Sequence, residues 1–286
     1  MAQIRLQVYL ARAGLAPSRR KAEELIRNKD ILVNGQVAVL GTKVEPKKDK
    51  ITLRGHNIKA LPNKIYIALN KPAGYLVAKS DNRGRKLAQD LLKEPSSADG
   101  KTLSKEEFDS VFNIGRLDLE SEGLILFTND GSFGDAIAHP RKHINKTYIS
   151  KVEGKISEET AGRLLDGVQV IAEQDGEEVR YRSRFRALRV LGRGKFSVIV
   201  IVISEGRKRQ IRRTMEAVHH KVLTLKRIAI GSLKLGELPA GKWRFLAKDE
   251  VAGFNIANNL NSPRKADSRN GKRSERFSLK NKKIKK

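Results

Sequence analysis

The chain of 286 residues is long enough to bury a sizeable hydrophobic core and to form about two domains. Lysine and arginine outnumber aspartate and glutamate by 59 to 32, and the net charge of +27 indicates a polyanionic partner. The absence of cysteine excludes disulfides, thiolate metal sites and cysteine nucleophiles. Because no apolar run is of transmembrane or signal-peptide type, we expect a soluble, cytoplasmic protein without a membrane partner.

Positive charge is concentrated at both ends of the chain. Residues 1–60 carry 13 basic and 5 acidic side chains, and residues 261–286 carry 11 and 2. The C-terminal segment has almost nothing apolar to bury, so we expect residues 256–286 to form a basic disordered tail. Two interpretations of this tail stay open: a solvated segment without a particular role, or an electrostatic arm that raises affinity for a nucleic acid without selecting sequence.

The first sixty residues predict two short helices followed by a β-hairpin. Apolar residues recur with helical spacing up to Gly14, and the helical pattern resumes after Ser18, the predicted N-cap of the second helix. The apolar run 31–33 and the mainly apolar segment 36–39 lie on either side of Asn34-Gly35, the strongest two-residue hairpin signal.

Four cations cluster near the start of the second predicted helix: Arg12, Arg19, Arg20 and Lys21. Together with free backbone N–H groups at a helix start, they can face one run of phosphates, although a basic helix pair can also be a merely solvated face. The order of helix pair, basic helix start and hairpin resembles the S4 RNA-binding domain. The resemblance implies that residues 1–60 bind RNA through these four side chains.

A second domain is expected over residues 61–255, after a connecting segment rich in lysine and proline. Periodicity predicts strands at 65–69, 124–128, 147–153, 181–191 and 196–203, and helices near 87–93, 133–138, 158–166 and 211–217. Strands and helices interleave without a regular βαβ period. We therefore predict an α+β fold, with a mainly antiparallel mixed sheet flanked by helices.

Asp118 is the candidate for chemistry on a polyanion. It follows Gly115-Arg116 and precedes a polar turn and the apolar residues 124–127, so we expect it on a loop that leads into a buried strand. A carboxylate held beside a cation stays ionised and can act as a nucleophile. An aspartate in such a loop is also commonly a turn former, so this segment alone leaves both roles open.

Two further segments carry candidate site residues. Tyr148 can stack on one unpaired base or mediate a proton transfer, and it can equally be an aromatic residue packed in the core. Arg207, Lys208 and Arg212 follow an apolar strand and a glycine, where guanidinium groups at the mouth of a site can pair with carboxylate or phosphate. The alternative for this second segment is a merely basic helix.

Four separated motifs resemble those of ribosomal RNA pseudouridine synthases of the RsuA/RluB type, over about residues 1–250. The motifs are Gly115-Arg116-Leu117-Asp118, Lys146-Thr147-Tyr148, Gly206-Arg207-Lys208-Arg209-Gln210-Ile211-Arg212-Arg213 and Leu225-Lys226-Arg227. The resemblance implies isomerisation of uridine to pseudouridine in ribosomal RNA. Ser121 stands where threonine is usual, and Thr214 adjoins a position that is usually methionine.

The resemblance also implies a role for each site residue. Asp118 is the essential carboxylate, which attacks a flipped-out uridine either at C6 of the base or at C1′ of the ribose. Tyr148 stacks on the target base and is a candidate for the proton transfer, and Arg212 pairs with Asp118. Arg116 fills the gap that the extruded nucleotide leaves, and Leu225 walls the base pocket. Arg207 and Lys208 are expected to bind the substrate backbone.

The resemblance implies no cofactor or metal, because the product is an isomer of the substrate. The expected partner is ribosomal RNA or a pre-ribosomal particle, and the default oligomeric state is a monomer. Large-subunit 23S ribosomal RNA is favoured over small-subunit 16S ribosomal RNA, and a non-catalytic S4-type binding protein is the other alternative. A glycosidase pair of Asp118 with Glu120 or Glu122 is disfavoured because glycosidases need neither an RNA-binding module nor this much positive charge.

Overall fold

The computed structural model describes residues 3–16, 18–46, 48–58, 63–174, 176–192 and 194–260. Most of the predicted basic tail, residues 261–286, lies outside these ranges. The last helix runs as far as Leu260 and so crosses the boundary expected at residue 255. Within the described ranges, no helix is both long and apolar enough to cross a membrane.

The N-terminal part contains the predicted helix pair and hairpin. Its elements are β1 (Ile4–Arg5), α1 (Leu6–Arg12), α2 (Arg19–Arg27), β2 (Ile31–Val33), β3 (Gln36–Val37), β4 (Lys43–Val44), β5 (Ile51–Leu53) and β6 (His56–Asn57). Strands β3, β2, β5 and β6 form an antiparallel sheet in that order, and β1 pairs with β4. The two helices pack on this sheet through a small apolar core of their own.

Local chemistry explains why these elements begin and turn where they do. The Ser18 hydroxyl accepts a hydrogen bond from the Lys21 backbone N–H at 3.2 Å, so the predicted N-cap of α2 is confirmed. Asn34 and Gly35 have φ angles of 53° and 84°. Two successive left-handed residues give the tight turn that joins β2 to β3 in register, as the Asn-Gly signal predicts.

The second part is built on a large sheet. Its strands are β7 (Tyr66–Lys71), β8 (Phe112–Ile114), β9 (Glu122–Thr128), β10 (Lys146–Glu153), β11 (Val168–Gln174), β12 (Glu177–Ser183), β13 (Ala187–Gly192), β14 (Phe196–Ile203), β15 (Val222–Ile230), β16 (Leu233–Lys234) and β17 (Trp243–Phe245). Its α-helices are α3 (Lys105–Ser110), α4 (Gly131–Ala138), α5 (Glu158–Asp166), α6 (Gln210–Glu216) and α7 (Lys248–Leu260). Short 3₁₀ helices occupy Ala88–Lys93 and Pro140–Lys142.

The main sheet has nine strands, and its central order is β13-β14-β10-β15-β9-β7-β17, with β16 beside β15 and β8 beside β9. Its pairings are antiparallel except for a short parallel contact between β9 and β15. Strands β11 and β12 form a separate antiparallel hairpin. The predicted mainly antiparallel mixed sheet with flanking helices is confirmed.

Three predicted elements differ in detail from the structure. The expected strand over 181–191 is divided between β12 and β13, because the buried Phe185 turns inward and its backbone N–H bonds to the Leu164 carbonyl of α5. The expected helix at 87–93 is a 3₁₀ helix. Strand β7 continues past residue 69 to Lys71, where Pro72 cannot donate a ladder hydrogen bond.

Both faces of the main sheet are covered, which explains the continuous apolar run of β9. Alternate residues point to opposite faces: Ile125 and Phe127 join one core cluster, while Leu124 and Leu126 join the other. The first cluster lies beneath α5 and α6, and the second beneath α4 and α7. The strand that follows the Asp118 loop is therefore held rigidly from both sides.

Truncation of Ile125 tests the packing of this core. Ile125 is completely buried, so Ile125→Ala is expected to lower the free energy of unfolding by about 2–5 kcal/mol. Ile171→Ala is the matched control, because Ile171 is 57% exposed on β11 and its truncation is expected to change stability by less than about 1 kcal/mol. Urea unfolding measures both. Equal losses in the two variants would contradict the assigned burial.

Candidate active site

A cleft with a volume of about 840 Å³ opens beside the loop that carries Asp118. A cleft of this size lies within the range of ligand pockets and has room for an extruded nucleotide. Its walls come from five parts of the chain: residues 114–118, residues 137–140, residues 203–211, and the strands β10 and β15. The strands contribute Lys146, Tyr148, Leu225, Arg227 and Ile230.

Backbone hydrogen bonds fix the Asp118 loop between β8 and β9. The Asp118 carbonyl accepts a bond from the Ser121 N–H at 3.0 Å, which closes a tight turn. The Leu119 carbonyl accepts bonds from the Gly74 N–H at 2.8 Å and from the Lys71 ammonium at 3.3 Å. The half-buried Asp118 side chain is therefore held at the cleft by a backbone with little freedom.

The parallel contact of β9 with β15 consists of two residue pairs, Glu122 with Lys226 and Gly123 with Arg227. Gly123 has a φ of +99°, and a Cβ at this position would lie 2.2 Å from the Arg227 carbonyl oxygen. Only glycine permits this approach. As a result, β15 brings Leu225 and Arg227, which share one face of the strand, next to the Asp118 loop.

Tyr148 packs in the core and also borders the cleft, so its position is compatible with both of the roles that the sequence left open. Its side chain is 6% exposed and belongs to the larger core cluster, and the residue also lines the cleft. Its hydroxyl accepts a hydrogen bond from Arg227 Nη1 at 3.4 Å, and the Arg227 guanidinium carbon lies 5.9 Å from the ring centre. Arg227 thus helps to hold the ring in place where it borders the cleft.

Arg212 lies behind the cleft rather than on its wall. Its side chain is 11% exposed, and Nη1 donates to the Val222 carbonyl at 3.1 Å. Burial lowers the pKa of Arg212, although the nearby charges of Glu120 and Asp118 act in the opposite direction. The ion-pair contact is with Glu120, at 3.7 Å from Nε. Direct pairing of Arg212 with Asp118 stays a prediction.

Exposed cations surround the mouth of the cleft. Arg116, Arg207 and Lys208 all border it and are exposed to solvent. Arg207 lies over the Tyr181 ring, with 4.5 Å between the guanidinium carbon and the ring centre, which ties the β11–β12 hairpin to the rim. The predicted substrate-binding side chains of this domain are therefore brought together.

The four cations of the N-terminal part do not line the cleft. Arg19, Arg20 and Lys21 are exposed at the start of α2. Arg12 is half-buried, and its guanidinium lies against Gly131 at the start of α4, where an added Cβ would be 2.7 Å from Nη2. Arg12 thus contacts the second part of the chain.

Two cations near Asp118 were given no role by the sequence, although one of them lies within a quoted motif. The first, Lys71, is completely buried, and its ammonium donates to the Pro72 and Leu119 carbonyls at 2.8 and 3.3 Å. Burial lowers the pKa of Lys71 to about 8, against the opposing charges of Glu122 and Asp118. The signal in the sequence was a lysine at the end of an apolar strand, directly before a proline.

Arg227 is the second such cation, with only 2% of its surface exposed. Its Nε donates to the Leu124 carbonyl at 2.6 Å, and Nη1 donates to the Arg116 carbonyl at 3.4 Å. It therefore links β9, the Asp118 loop and Tyr148. The sequence offered one signal for its position. Arg227 is two residues from Leu225, and residues two apart on a strand share one face.

The described residues contain no group of three or more His, Asp or Glu side chains that could hold a metal ion. His139 borders the cleft, and its Nδ1 accepts a hydrogen bond from the Arg141 backbone N–H at 3.1 Å. The site as a whole is the Asp118 loop with cations behind it and at the mouth of the cleft, where Glu205 is a second lining carboxylate. Such a site can bind an anionic substrate and present a carboxylate to it.

Residues 65–217 match the family model described as RNA pseudouridylate synthase, and residues 4–50 match the S4 domain. An RNA pseudouridine synthase of Aquifex aeolicus (strain VF5) is 40% identical over 255 residues, covering 88% of this chain and 94% of that protein. The ribosomal large subunit pseudouridine synthase B of Bacillus subtilis (strain 168) is 37% identical over 248 residues, covering 86% and 93%. A crystal structure of a pseudouridylate synthase shares the fold, with a TM-score of 0.57, 24% identity and coverage of 88% and 99%.

The chain belongs to the RNA pseudouridine synthase family and carries an N-terminal S4 domain. It is an enzyme that isomerises uridine to pseudouridine in RNA.

The pH dependence of stability tests the burial of Lys71 behind the Asp118 loop. Between its pKa of about 8 in the folded protein and about 10.4 in the unfolded chain, only the unfolded chain holds this proton. The free energy of unfolding of the wild type should therefore rise with pH, relative to that of Lys71→Met, by about 3 kcal/mol in total across this window. Below pH 8 the difference should be flat. Denaturant unfolding at several pH values measures it, and a difference that stays constant up to pH 10.4 would contradict the burial of a charged ammonium.

Proposed function

We propose that this enzyme converts a specific uridine of large-subunit ribosomal RNA to pseudouridine, with Asp118 as the attacking carboxylate. The observation that carries the proposal is the position of Asp118 at a cleft bordered by Tyr148, Leu225 and exposed cations. The choice of the large subunit is supported by relatives named for it, in Bacillus subtilis and in Vibrio cholerae at 37% and 35% identity.

The net reaction breaks the bond from N1 of uracil to C1′ of the ribose and forms a bond from C5 to C1′. The bond that Asp118 forms in its attack, at C6 or at C1′, breaks again before the product leaves. One proton leaves C5 and one arrives at N1, so substrate and product contain the same atoms. This balance requires no co-reactant, and we propose that the enzyme acts without a cofactor. We further propose that it works as a monomer in the cytoplasm.

A uridine within an RNA helix is out of reach of Asp118, so the enzyme has to extrude it and offset the broken stacking by contacts to the flanking backbone. Arg207 and Lys208 are exposed at the rim and suited to phosphates. Arg116 is assigned to fill the gap that the extruded uridine leaves in the RNA helix, because it is exposed and lies two residues before Asp118.

Inside the cleft, Tyr148 and Leu225 provide the flat and apolar surfaces between which a uracil ring can lie. Arg212 is assigned to stabilise Asp118. Its Nη2 is buried and has no hydrogen-bond partner among the described residues, which leaves a donor for the carboxylate.

The N-terminal part, residues 1–60, is proposed to add RNA affinity through Arg19, Arg20 and Lys21, which are exposed together at the start of α2. Arg12 is proposed to help position this part against α4, next to its contact with Gly131. Residues 61–255 are proposed as the catalytic domain.

Removal of the Asp118 charge is the direct test of the nucleophile. Asp118→Asn should abolish pseudouridine formation on a ribosomal RNA fragment and leave the Kd for that fragment within about threefold, because RNA affinity comes mainly from phosphate contacts. Asp166→Asn is the matched control, since Asp166 is exposed at the end of α5 and outside the cleft. It should retain full activity.

Pseudouridine formed by Asp118→Asn at the wild-type rate would refute the assignment. RNA binding by the wild type without pseudouridine on any fragment would favour a non-catalytic binding protein.

A salt titration tests the N-terminal cations. Removal of one phosphate-binding charge should reduce the slope of log K against log salt by about 0.7–0.9. The double variant Arg19→Gln/Arg20→Gln should therefore bind RNA more weakly and with a flatter slope than the wild type. Lys93→Gln/Lys101→Gln is the control, because each of these lysines already pairs with an aspartate, at 2.7 and 3.0 Å. An unchanged slope in the arginine variant would leave α2 without a phosphate-binding role.

A further inference from the structure

Arg227 lines the floor of the cleft and has one hydrogen-bond donor without a partner among the described residues. Arg227 uses Nε and Nη1 to hold the Leu124 carbonyl, the Arg116 carbonyl and the Tyr148 hydroxyl. Its Nη2 is buried and has no hydrogen-bond partner among the described residues. A buried charged donor without an acceptor is destabilising, so the site is suited to a ligand that brings an acceptor.

The floor of the cleft, formed by Arg227 and Lys146, is also positively charged, and neither of these cations is paired with a carboxylate of the described residues. Lys146 lies half-buried on the same wall, close enough to Arg227 for the charges to interact. Neither side chain has a carboxylate oxygen within 4.0 Å in the described parts of the chain. Two uncompensated cations favour a group that carries negative charge when it is bound.

Position along the cleft decides which part of an RNA reaches Arg227. The exposed Arg116, Arg207 and Lys208 stand at the mouth, where strongly hydrated phosphates remain accessible to solvent. Arg227 lines the same cleft but is only 2% exposed, and it donates a hydrogen bond to the Tyr148 hydroxyl. An extruded nucleotide enters with its base foremost, so the edge of the uracil ring is the part that meets the floor.

The reaction itself places negative charge on that edge. When the bond from N1 to C1′ breaks, its electron pair stays on the uracil ring and is shared by N1, O2 and O4. The charge disappears when C5 uses this electron pair to form its bond to C1′; the C5 proton is then lost and N1 gains one. A donor fixed in a water-poor site stabilises such transient charge most effectively.

We propose that Arg227 is a substrate-contacting residue, whose Nη2 donates a hydrogen bond to a carbonyl oxygen, O2 or O4, of the target uracil while the base carries negative charge. The assignment rests on the proposed function of the cleft. Arg227 thereby has two tasks: two of its nitrogens hold the catalytic loop and Tyr148, and the third contacts the base.

Sulfur substitution in the substrate separates the two tasks, because sulfur accepts hydrogen bonds more weakly than oxygen. The probes are the ribosomal RNA fragment that the wild type modifies and the same fragment with 2-thiouridine or 4-thiouridine at the target position. Single-turnover rates should fall about tenfold for one of the two thio probes with the wild type. With Arg227→Met, the rate on the ordinary fragment should fall about 100-fold, and the penalty for that thio probe should vanish.

Three controls make the outcome decisive. Arg227→Lys keeps the charge and should recover part of the rate. Arg244→Met removes a partly buried arginine that pairs with Glu250 outside the cleft, and it should keep the wild-type thio penalty. Thermal unfolding shows whether Arg227→Met folds. If it does not fold, the proposal is tested by the thio penalty of the wild type and by the smaller penalty expected for Arg227→Lys.

The proposal is overturned if the wild type processes both thio probes as fast as uridine. It is also overturned if Arg227→Met is slow but retains the thio penalty, since Arg227 then acts only through Tyr148 and the loop. Failure of the proposed function is a separate result, in which the wild type forms no pseudouridine in any ribosomal RNA.

Discussion

The parallel contact between β9 and β15 is the constraint on which the site depends, although it comprises only two residue pairs. It requires a glycine at position 123, because a side chain there would overlap the Arg227 backbone. Through it, the loop that carries Asp118 and the strand that carries Leu225 and Arg227 become neighbours. The antiparallel pairing of β15 with β10 then adds Tyr148, so one short contact sets the distances among all four side chains.

Charge is divided between the surface and the interior of the catalytic part. Exposed cations at the mouth of the cleft suit a hydrated phosphate backbone, whose attraction is long-ranged and independent of sequence. Buried cations behind the loop, Lys71 and Arg227, instead bond to backbone carbonyls and hold the loop in place. The large net charge of the chain therefore reflects two kinds of cation, and only the exposed kind is expected to respond strongly to salt.

Local signals in the sequence predicted the elements that depend on local chemistry. The hairpin at Asn34-Gly35, the N-cap at Ser18 and the apolar strand from Leu124 were all found, and the motifs placed Asp118, Tyr148 and Leu225 at one cleft. Strand β15 was not predicted, because bulges in its pairing with β10 interrupt the alternation of buried and exposed residues. The burial of Lys71 and Arg227 depends on long-range contacts, and a charged residue in a strand is ordinarily exposed.

The cleft around Asp118 is proposed to isomerise a uridine of ribosomal RNA, and the purified protein allows this to be measured. It is incubated with full-length large- and small-subunit ribosomal RNA transcripts, and pseudouridines are then mapped at nucleotide resolution. We expect a new pseudouridine at a discrete position in the large-subunit RNA and none when the protein is omitted. The absence of new pseudouridine from both RNAs, with RNA binding intact, would contradict the proposed reaction.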